Sequence, residues 1–274
     1  MSAWVGTWLD AEVKSVLVLR KAIGWSVAQV YRLAGARRRA VARAKAEGAI
    51  LPIVFHAARA DEVRQILCWL KDAECLEHCG LSFDDGWLEF KEILPVLNEF
   101  KKSATLFIAP GETVRGNVWT DEINVDKRQA LYGVKADERY AKLGAPRQRK
   151  LLNEQEVREI AKHPWVKIGN HTWSHLSCTH RPMAEVLDEV DRAQAILTEW
   201  CGYAPTEFAY PFGRGTSELD VEIRKRGLRP HYTRQGLVTE ATLGAARNMV
   251  YEGMSLAENL GRILMAWPKV GSTR

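Results

Sequence analysis

The chain has 274 residues, a formal net charge of +5 and a hydrophobic content of 46%. This length suffices for one large α/β domain or two small ones, and we favour one domain of ordinary globular composition. No stretch approaches the roughly 20 uninterrupted apolar residues of a membrane-spanning helix, which argues against an integral membrane protein. The five cysteines are odd in number and widely spaced, so we expect free thiols.

Residues 1–49 are interpreted as an N-terminal helical extension, and residues 50–274 as a second, catalytic unit. Apolar residues recur at helical spacing over 24–46, and Gly48 is a stop signal. This helix carries a cluster of basic residues: Arg32, Arg37, Arg38, Arg39, Arg43 and Lys45. The cluster is either a solvated helix face or a surface that attracts anionic lipid headgroups or substrate phosphates.

The first residues lack the order of features found in a signal peptide. Asp10, Glu12 and Lys14 precede a short apolar run, and basic residues interrupt that run at once. We therefore expect a cytoplasmic protein, with the basic helix allowing a peripheral contact with the inner membrane.

Beyond residue 50, strands and helices alternate in a way that favours a parallel sheet or barrel. The apolar run at 50–55 predicts a buried strand that ends at His56. The polar stretch at 111–150 exceeds a typical connection and is a candidate lid. The remaining predicted strands lie at 79–83, 104–109, 166–169, 207–210 and 231–233, and the predicted helices at 61–71, 91–100, 153–162, 183–201 and 219–226.

Two adjacent carboxylates, Asp84 and Asp85, follow the predicted strand at 79–83. Such a pair is costly unless a cation, a proton or hydrogen-bond donors lie beside it, and a metal is the simplest resolution. His171 and His175 are four residues apart and could turn two imidazoles to one side of a helical turn. One oxygen and two nitrogens would then be available to a metal.

Three ordered motifs carry a resemblance to a known family, the polysaccharide deacetylases with a NodB-homology domain (carbohydrate esterase family 4). The motifs are Phe83-Asp84-Asp85-Gly86, His171-Thr172-Trp173-Ser174-His175 and Phe208-Ala209-Tyr210-Pro211-Phe212-Gly213. The third resembles the sub-family with an Ala-Tyr-Pro form. The resemblance implies a distorted (β/α) barrel of about seven strands, with its active site at the carboxyl ends of the strands.

The resemblance also implies roles for the motif residues. Asp85, His171 and His175 would bind a divalent metal, zinc in the first place, with Co²⁺, Ni²⁺ or Mn²⁺ as alternatives. Asp84 would be the general base that activates the attacking water. A backbone N–H in the turn 210–212 would stabilise the oxyanion.

Two departures from the family pattern require substitutes. The late histidine that serves many relatives as general acid is missing. In our interpretation His56 takes that role, as in relatives whose elements are circularly permuted. The alternative is that His56 is a hydrogen-bonded structural histidine. Ala209 stands where many relatives carry an arginine that pairs with the catalytic aspartate. Arg247, on a predicted later strand, is the candidate to orient Asp84.

Aromatic residues beside the motifs are candidate substrate contacts. Tyr210, Pro211 and Phe212 would wall the cleft, and Trp87 could stack on a sugar ring. Trp173 has the same character. Packing of the barrel rim explains these large side chains equally well.

We therefore expect a metal-dependent hydrolase that removes an acetyl or other acyl group from an amino sugar. The substrate would be a surface polysaccharide or lipopolysaccharide precursor, which could be lipid-linked at the inner membrane face, and no nucleic acid is expected. A deformylase, or an amidase acting on another amide, remains open, because loops rather than the fold set the substrate. So does a catalytically silent glycan-binding or scaffold protein.

Overall fold

A computed structural model describes residues 50–72, 74–114, 118–120, 148–179, 181–232 and 245–250, together with residues 256 and 259. The predicted extension at 1–49, with its helix and basic cluster, lies outside the described residues, as does most of the candidate lid. Within the described part of the chain, no helix has both the length and the hydropathy needed to cross a bilayer.

Ten strands and six α-helices alternate along the described chain. The strands are β1 (Leu51–Phe55), β2 (Cys79–Phe83), β3 (Ala104–Ile108), β4 (Val118–Thr120), β5 (Gln148–Lys150), β6 (Val166–Asn170), β7 (Glu207–Ala209), β8 (Arg229–Tyr232), β9 (Ala245–Ala246) and β10 (Asn248–Met249). The helices are α1 (Ala60–Asp72), α2 (Phe90–Phe100), α3 (Pro110–Val114), α4 (Glu154–Ile160), α5 (Met183–Cys201) and α6 (Ser217–Lys225). Short 3₁₀ turns occupy Leu76–His78 and Pro211–Gly213.

The main sheet has the strand order β10-β1-β2-β3-β6-β7-β8-β9, and every neighbouring pair is parallel. Only Arg247 separates β9 from β10, so the segment 245–249 pairs with β8 at one edge of the sheet and with β1 at the other. When β9 and β10 are counted as one strand, the sheet closes into a seven-stranded barrel. This confirms the predicted fold class. β4 and β5 form a separate antiparallel pair within the stretch 111–150, where the sequence indicated irregular structure.

Burial explains why these segments take these forms. All five residues of β1 are buried, as expected for a parallel strand covered on both faces. Helix α1 buries Val63, Ile66, Leu67 and Leu70, whose spacing puts them on one face. The main core packs such helix faces against the outside of β1, β2, β3 and β6, so the strand ends are held rigidly where the polar motifs follow them.

Candidate metal centre and active site

The polar motif residues meet at one end of the barrel. His56 follows β1, Asp84 and Asp85 follow β2, and His171 follows β6. Because all these strands are parallel, their carboxyl ends lie at the same edge. The arrangement brings together side chains that are more than 100 residues apart in the chain.

Asp85, His171 and His175 form a compact, buried cluster. The Oδ1 atom of Asp85 lies 3.4 Å from Nε2 of His171 and 3.3 Å from Nε2 of His175. All three donor atoms lie within 4.8 Å of one another. Burial opposes ionisation of Asp85, but the two imidazoles outweigh it and hold the pKa of this carboxyl well below its usual range.

This cluster has the composition of a divalent-metal site. A carboxylate and two imidazoles are a donor set that zinc takes in catalytic centres. The Asp85 Oδ1 atom is buried, and within the described residues no hydrogen bond of ordinary geometry satisfies it. A cation between the three donors would remove that cost, so the residues fit a metal.

The backbone of the histidine motif differs from our prediction of a helical turn. Residues 171–177 form no helix, and Thr172 (φ 61°) and His175 (φ 53°) have left-handed backbone conformations. His171 is oriented by its Nδ1–H, which donates to the carbonyl of Ala209 at 2.7 Å. That bond assigns the tautomer and leaves Nε2 as the candidate ligand atom.

Asp84 is held by a bidentate ion pair with Arg247. Nη1 and Nη2 of Arg247 lie 2.6 and 2.8 Å from the two carboxylate oxygens of Asp84, and both side chains are almost fully buried. Burial would raise the pKa of Asp84, but Arg247, with His171 and His56, lowers it below its ordinary value. Asp84 is thus an ionised carboxylate in a fixed orientation, as a general base requires.

His56 lies at the mouth of the same site. Its Nε2 atom is 3.9 Å from Oδ2 of Asp84, and its side chain is 38% exposed. A small pocket of about 10 Å³ is lined by His56, Asp84, Trp87, Glu89 and apolar residues behind them. The imidazole can therefore reach both Asp84 and solvent.

The Tyr210-Pro211-Phe212 turn contributes differently from our expectation. The Tyr210 side chain is fully buried, and its hydroxyl donates to Asp220 at 2.8 Å, so it does not wall the cleft. The N–H of Tyr210 donates to the carbonyl of His231 and Pro211 has no N–H. Phe212 (φ 60°) therefore carries the remaining N–H of this turn, and its ring packs edge-on against His175.

Trp87 is mostly packed. Its side chain is 8% exposed, its backbone bridges to Leu151, and the two side chains form a small apolar cluster. The rim-packing alternative thus accounts for most of its surface.

Sequence reasoning missed two residues that support Arg247. The Ser82 hydroxyl accepts from Arg247 at 3.2 Å and donates to the Ile53 carbonyl. The guanidinium also lies 5.0 Å from the ring centre of Phe107, for which Gly169 leaves room because a Cβ there would lie 2.4 Å from the ring. The polar Ser82 within an apolar strand was the available signal.

Fold and site together define a parallel α/β barrel protein with a candidate metal centre at its strand ends. The sequence matches the polysaccharide deacetylase family over residues 73–231, more than half of the chain. The chain belongs to this family, whose members are hydrolases of carbon–nitrogen bonds other than peptide bonds.

Individual relatives are more distant. The chain is 33% identical over 58 residues to the peptidoglycan-N-acetylmuramic acid deacetylase PdaC of Bacillus subtilis, an alignment that covers 21% of this chain and 12% of that protein. A polysaccharide deacetylase from Bacillus cereus superimposes with a TM-score of 0.58 at 15% identity, covering 78% of this chain and 69% of that one. The Streptococcus pyogenes deacetylase PplD, solved with acetate, gives a TM-score of 0.56 at 17% identity and coverages of 78% and 98%. The two superpositions show that the fold is shared.

Proposed function

We propose that this protein hydrolyses the N-acetyl group of an amino sugar in a surface polysaccharide or lipopolysaccharide precursor, using a divalent metal, zinc in the first place. The observation that carries the proposal is the adjacency of two differently held carboxylates. Asp85 faces His171 and His175, whereas Asp84 is clamped by Arg247. This arrangement supports a cation-binding role for Asp85 and a proton-accepting role for Asp84.

Asp85, His171 and His175 would hold the metal, which when bound supplies a Lewis acid for the amide carbonyl and for the attacking water. Asp84 accepts a proton from that water as the new carbon–oxygen bond forms. The N–H of Phe212 donates to the oxygen that gains negative charge.

Cleavage of the carbon–nitrogen bond requires a proton on the departing amine. His56 provides it in this proposal, because its imidazole is partly exposed and lies within 4 Å of Asp84. The products are acetate and a free amino sugar. His56→Gln is expected to slow turnover without reducing metal content.

The first test is metal content by mass spectrometry of the purified protein beside the variant Asp85→Asn/His171→Ala. We expect near-stoichiometric divalent metal in the parent and its loss in the variant. Asp188→Asn, an exposed acidic position on α5, is a control that should keep the metal. A parent that takes up no metal even after reconstitution would refute the proposed centre.

The second test is acetate release from N-acetylated amino-sugar oligomers by the metal-loaded protein. Metal-dependent release of acetate supports the proposal. Release of formate from N-formyl sugars instead would identify a deformylase. No product from any N-acyl sugar, despite full loading, would refute the proposed deacetylase and leave an amidase acting on another amide or a catalytically silent glycan-binding protein.

A lipid-linked substrate is the finer part of the proposal. It is supported by the cluster of basic residues between positions 32 and 45 of the sequence. Co-sedimentation with vesicles that contain anionic lipids tests it, and vesicles of neutral lipid are the control. Equal, weak binding to both kinds of vesicle would refute the lipid-linked substrate but not the proposed deacetylase activity.

A further inference from the structure

The loop that carries both histidine ligands has no regular structure of its own. Residues 171–177 contain no helix or strand, and two of them have left-handed backbone conformations, including the ligand His175. Such conformations persist only where the surroundings hold them. The source of that support decides how firmly the ligands are placed.

The support comes largely from one helix, α5. Glu189 accepts the backbone N–H of Ser174 at 2.7 Å and the hydroxyl of the same serine at 3.0 Å. One turn away, the Arg192 guanidinium lies 3.9 Å from the ring centre of Trp173. These contacts hold Trp173 and Ser174, two of the three residues between His171 and His175.

The start of the loop is fixed to the same helix. The side-chain amide of buried Asn170 donates to the Val190 carbonyl at 3.0 Å and to Gln194 at 3.1 Å. The side-chain Oδ1 atom of Asn170 accepts the backbone N–H of Thr172 at 3.0 Å. Thr172 is the first residue of the loop with a left-handed backbone conformation. Both ends of the ligand-bearing segment are thus registered against one rigid element.

From these contacts we propose that Glu189 is a positioning residue for the metal site. Glu189 hydrogen-bonds to Ser174, which directly precedes His175, and it acts on the metal site through that residue. An ionised carboxylate that accepts both an N–H and an O–H forms stronger hydrogen bonds than a neutral acceptor. Loss of Glu189 would let the His175 imidazole leave the geometry that brings its Nε2 to Asp85. This inference rests on the proposed metal centre.

The proposal is tested by zinc affinity, measured in competition with a chromophoric chelator on metal-free protein. Glu189→Ala is expected to weaken zinc binding about 10- to 100-fold, the usual effect of removing a group that orients a ligand. Glu189→Gln keeps one acceptor oxygen and is expected to fall between Glu189→Ala and the parent. Ser174→Ala keeps the backbone bond and should also be intermediate. The matched control Asp188→Asn removes an exposed charge from the neighbouring position and should bind zinc like the parent.

A purely structural role makes a different prediction. It would lower stability without changing the metal geometry, so the visible spectrum of Co²⁺ bound to the folded Glu189→Ala variant would equal that of the parent. We expect a changed spectrum, recorded where circular dichroism shows the variant folded. Parent-like affinity and spectrum in Glu189→Ala would overturn the role of Glu189 while leaving the metal centre intact. Failure of the parent itself to bind zinc would overturn the metal centre, and this inference with it.

Discussion

At the scale of single residues, the Arg247–Asp84 pair is the most consequential contact in the site. A buried carboxylate that loses its bidentate cationic partner is left uncompensated, which typically costs about 3–5 kcal/mol of unfolding free energy. We expect that loss for Arg247→Ala in urea denaturation. We also expect kcat to fall by a larger factor than substrate binding weakens, because the orientation of Asp84 matters in the transition state.

Arg64→Ala is the matched control for this prediction. Arg64 pairs with Glu99 at 2.9 Å on the surface, where an ion pair contributes about 0–1 kcal/mol. Similar losses of unfolding free energy in the two variants would show that the Arg247–Asp84 pair stabilises the fold no more than an exposed ion pair does. The double variant Asp84→Ala/Arg247→Ala should lose less unfolding free energy than the sum of the losses in the two single variants.

The buried hydroxyl of Tyr210 allows the corrected role of that residue to be tested. Burial, with Asp220 beside the hydroxyl, raises the pKa of Tyr210, so the phenol stays a neutral donor to Asp220. Tyr210→Phe is expected to lower the unfolding free energy by about 0.5–1.5 kcal/mol, the contribution of an ordinary hydrogen bond. Acetate release should continue at the parent rate. A large drop in kcat would mean that the Tyr210 hydroxyl does contribute to the active site.

At the scale of elements, the N-terminus of α4 connects helix capping to the active site. The Asn153 side chain accepts from the Glu156 N–H, and the Glu156 carboxylate accepts from the Asn153 N–H, which forms a capping box. The preceding Leu152 donates to the Gly86 carbonyl, beside Asp85. The cap thus anchors the segment that lies against the carboxylate turn.

We expect Asn153→Ala to lower the unfolding free energy by about 0.5–2 kcal/mol, as loss of a helix cap usually does. Asn153→Asp keeps an acceptor at the cap and should retain most of the stability. Both are measured by urea denaturation. If the two variants were equally destabilised, the cap hydrogen bond would not be what holds α4.

Elements with a long, uniform pattern could be predicted from the sequence, whereas short or strained ones could not. Strand 79–83 and helix 183–201 have the bounds that were predicted, because burial on one or both faces fixes their composition. β9 and β10 are two residues each, too short for any periodicity. The loop 171–177 makes contacts with α5, through Ser174 to Glu189 and through Asn170 to Val190, that no local sequence pattern encodes.

The candidate site shows the same division. Family motifs identified Asp84, Asp85, His171 and His175 and suggested Arg247, because these residue types follow strand ends in a fixed order. The direction of a side chain after a strand depends on packing against other elements. That is why Tyr210, which stacks on Tyr232 inside the protein, was expected in the cleft instead.

At the scale of the whole molecule, closure of the barrel assembles the site. Arg247 and Asp84 are 163 positions apart in the chain, and they meet because the segment 245–249 joins both edges of the sheet. The candidate metal ligands follow β2 and β6, which flank β3. The orientation of Asp84 is thus linked to the last strand pairing, while the metal cluster depends on strands in the middle of the sheet.

The closed barrel also encloses His231, which gives the stability of the molecule a dependence on pH. Burial lowers the pKa of His231 below its ordinary value of 6.5, and the nearby charges of Arg247 and Arg229 lower it further. The facing Glu207 raises the pKa but does not reverse the direction. The unfolded chain therefore binds the proton more readily than the folded one. The contribution of neutral His231 to the unfolding free energy is fully present above pH 6.5, and it is lost as the pH falls from 6.5 towards the folded-state pKa.

His231→Gln removes this titration while keeping a donor for Glu207. We therefore expect the variant to lose less unfolding free energy than the parent between pH 7 and about pH 5, the range below the ordinary histidine pKa. Urea denaturation of the metal-free proteins at several pH values measures the difference, and subtracting the two curves removes groups that titrate alike in both. Parallel curves would mean that His231 keeps its ordinary pKa within the barrel. A steeper loss in His231→Gln would mean that the protonated imidazole stabilises the fold through Glu207 despite its burial.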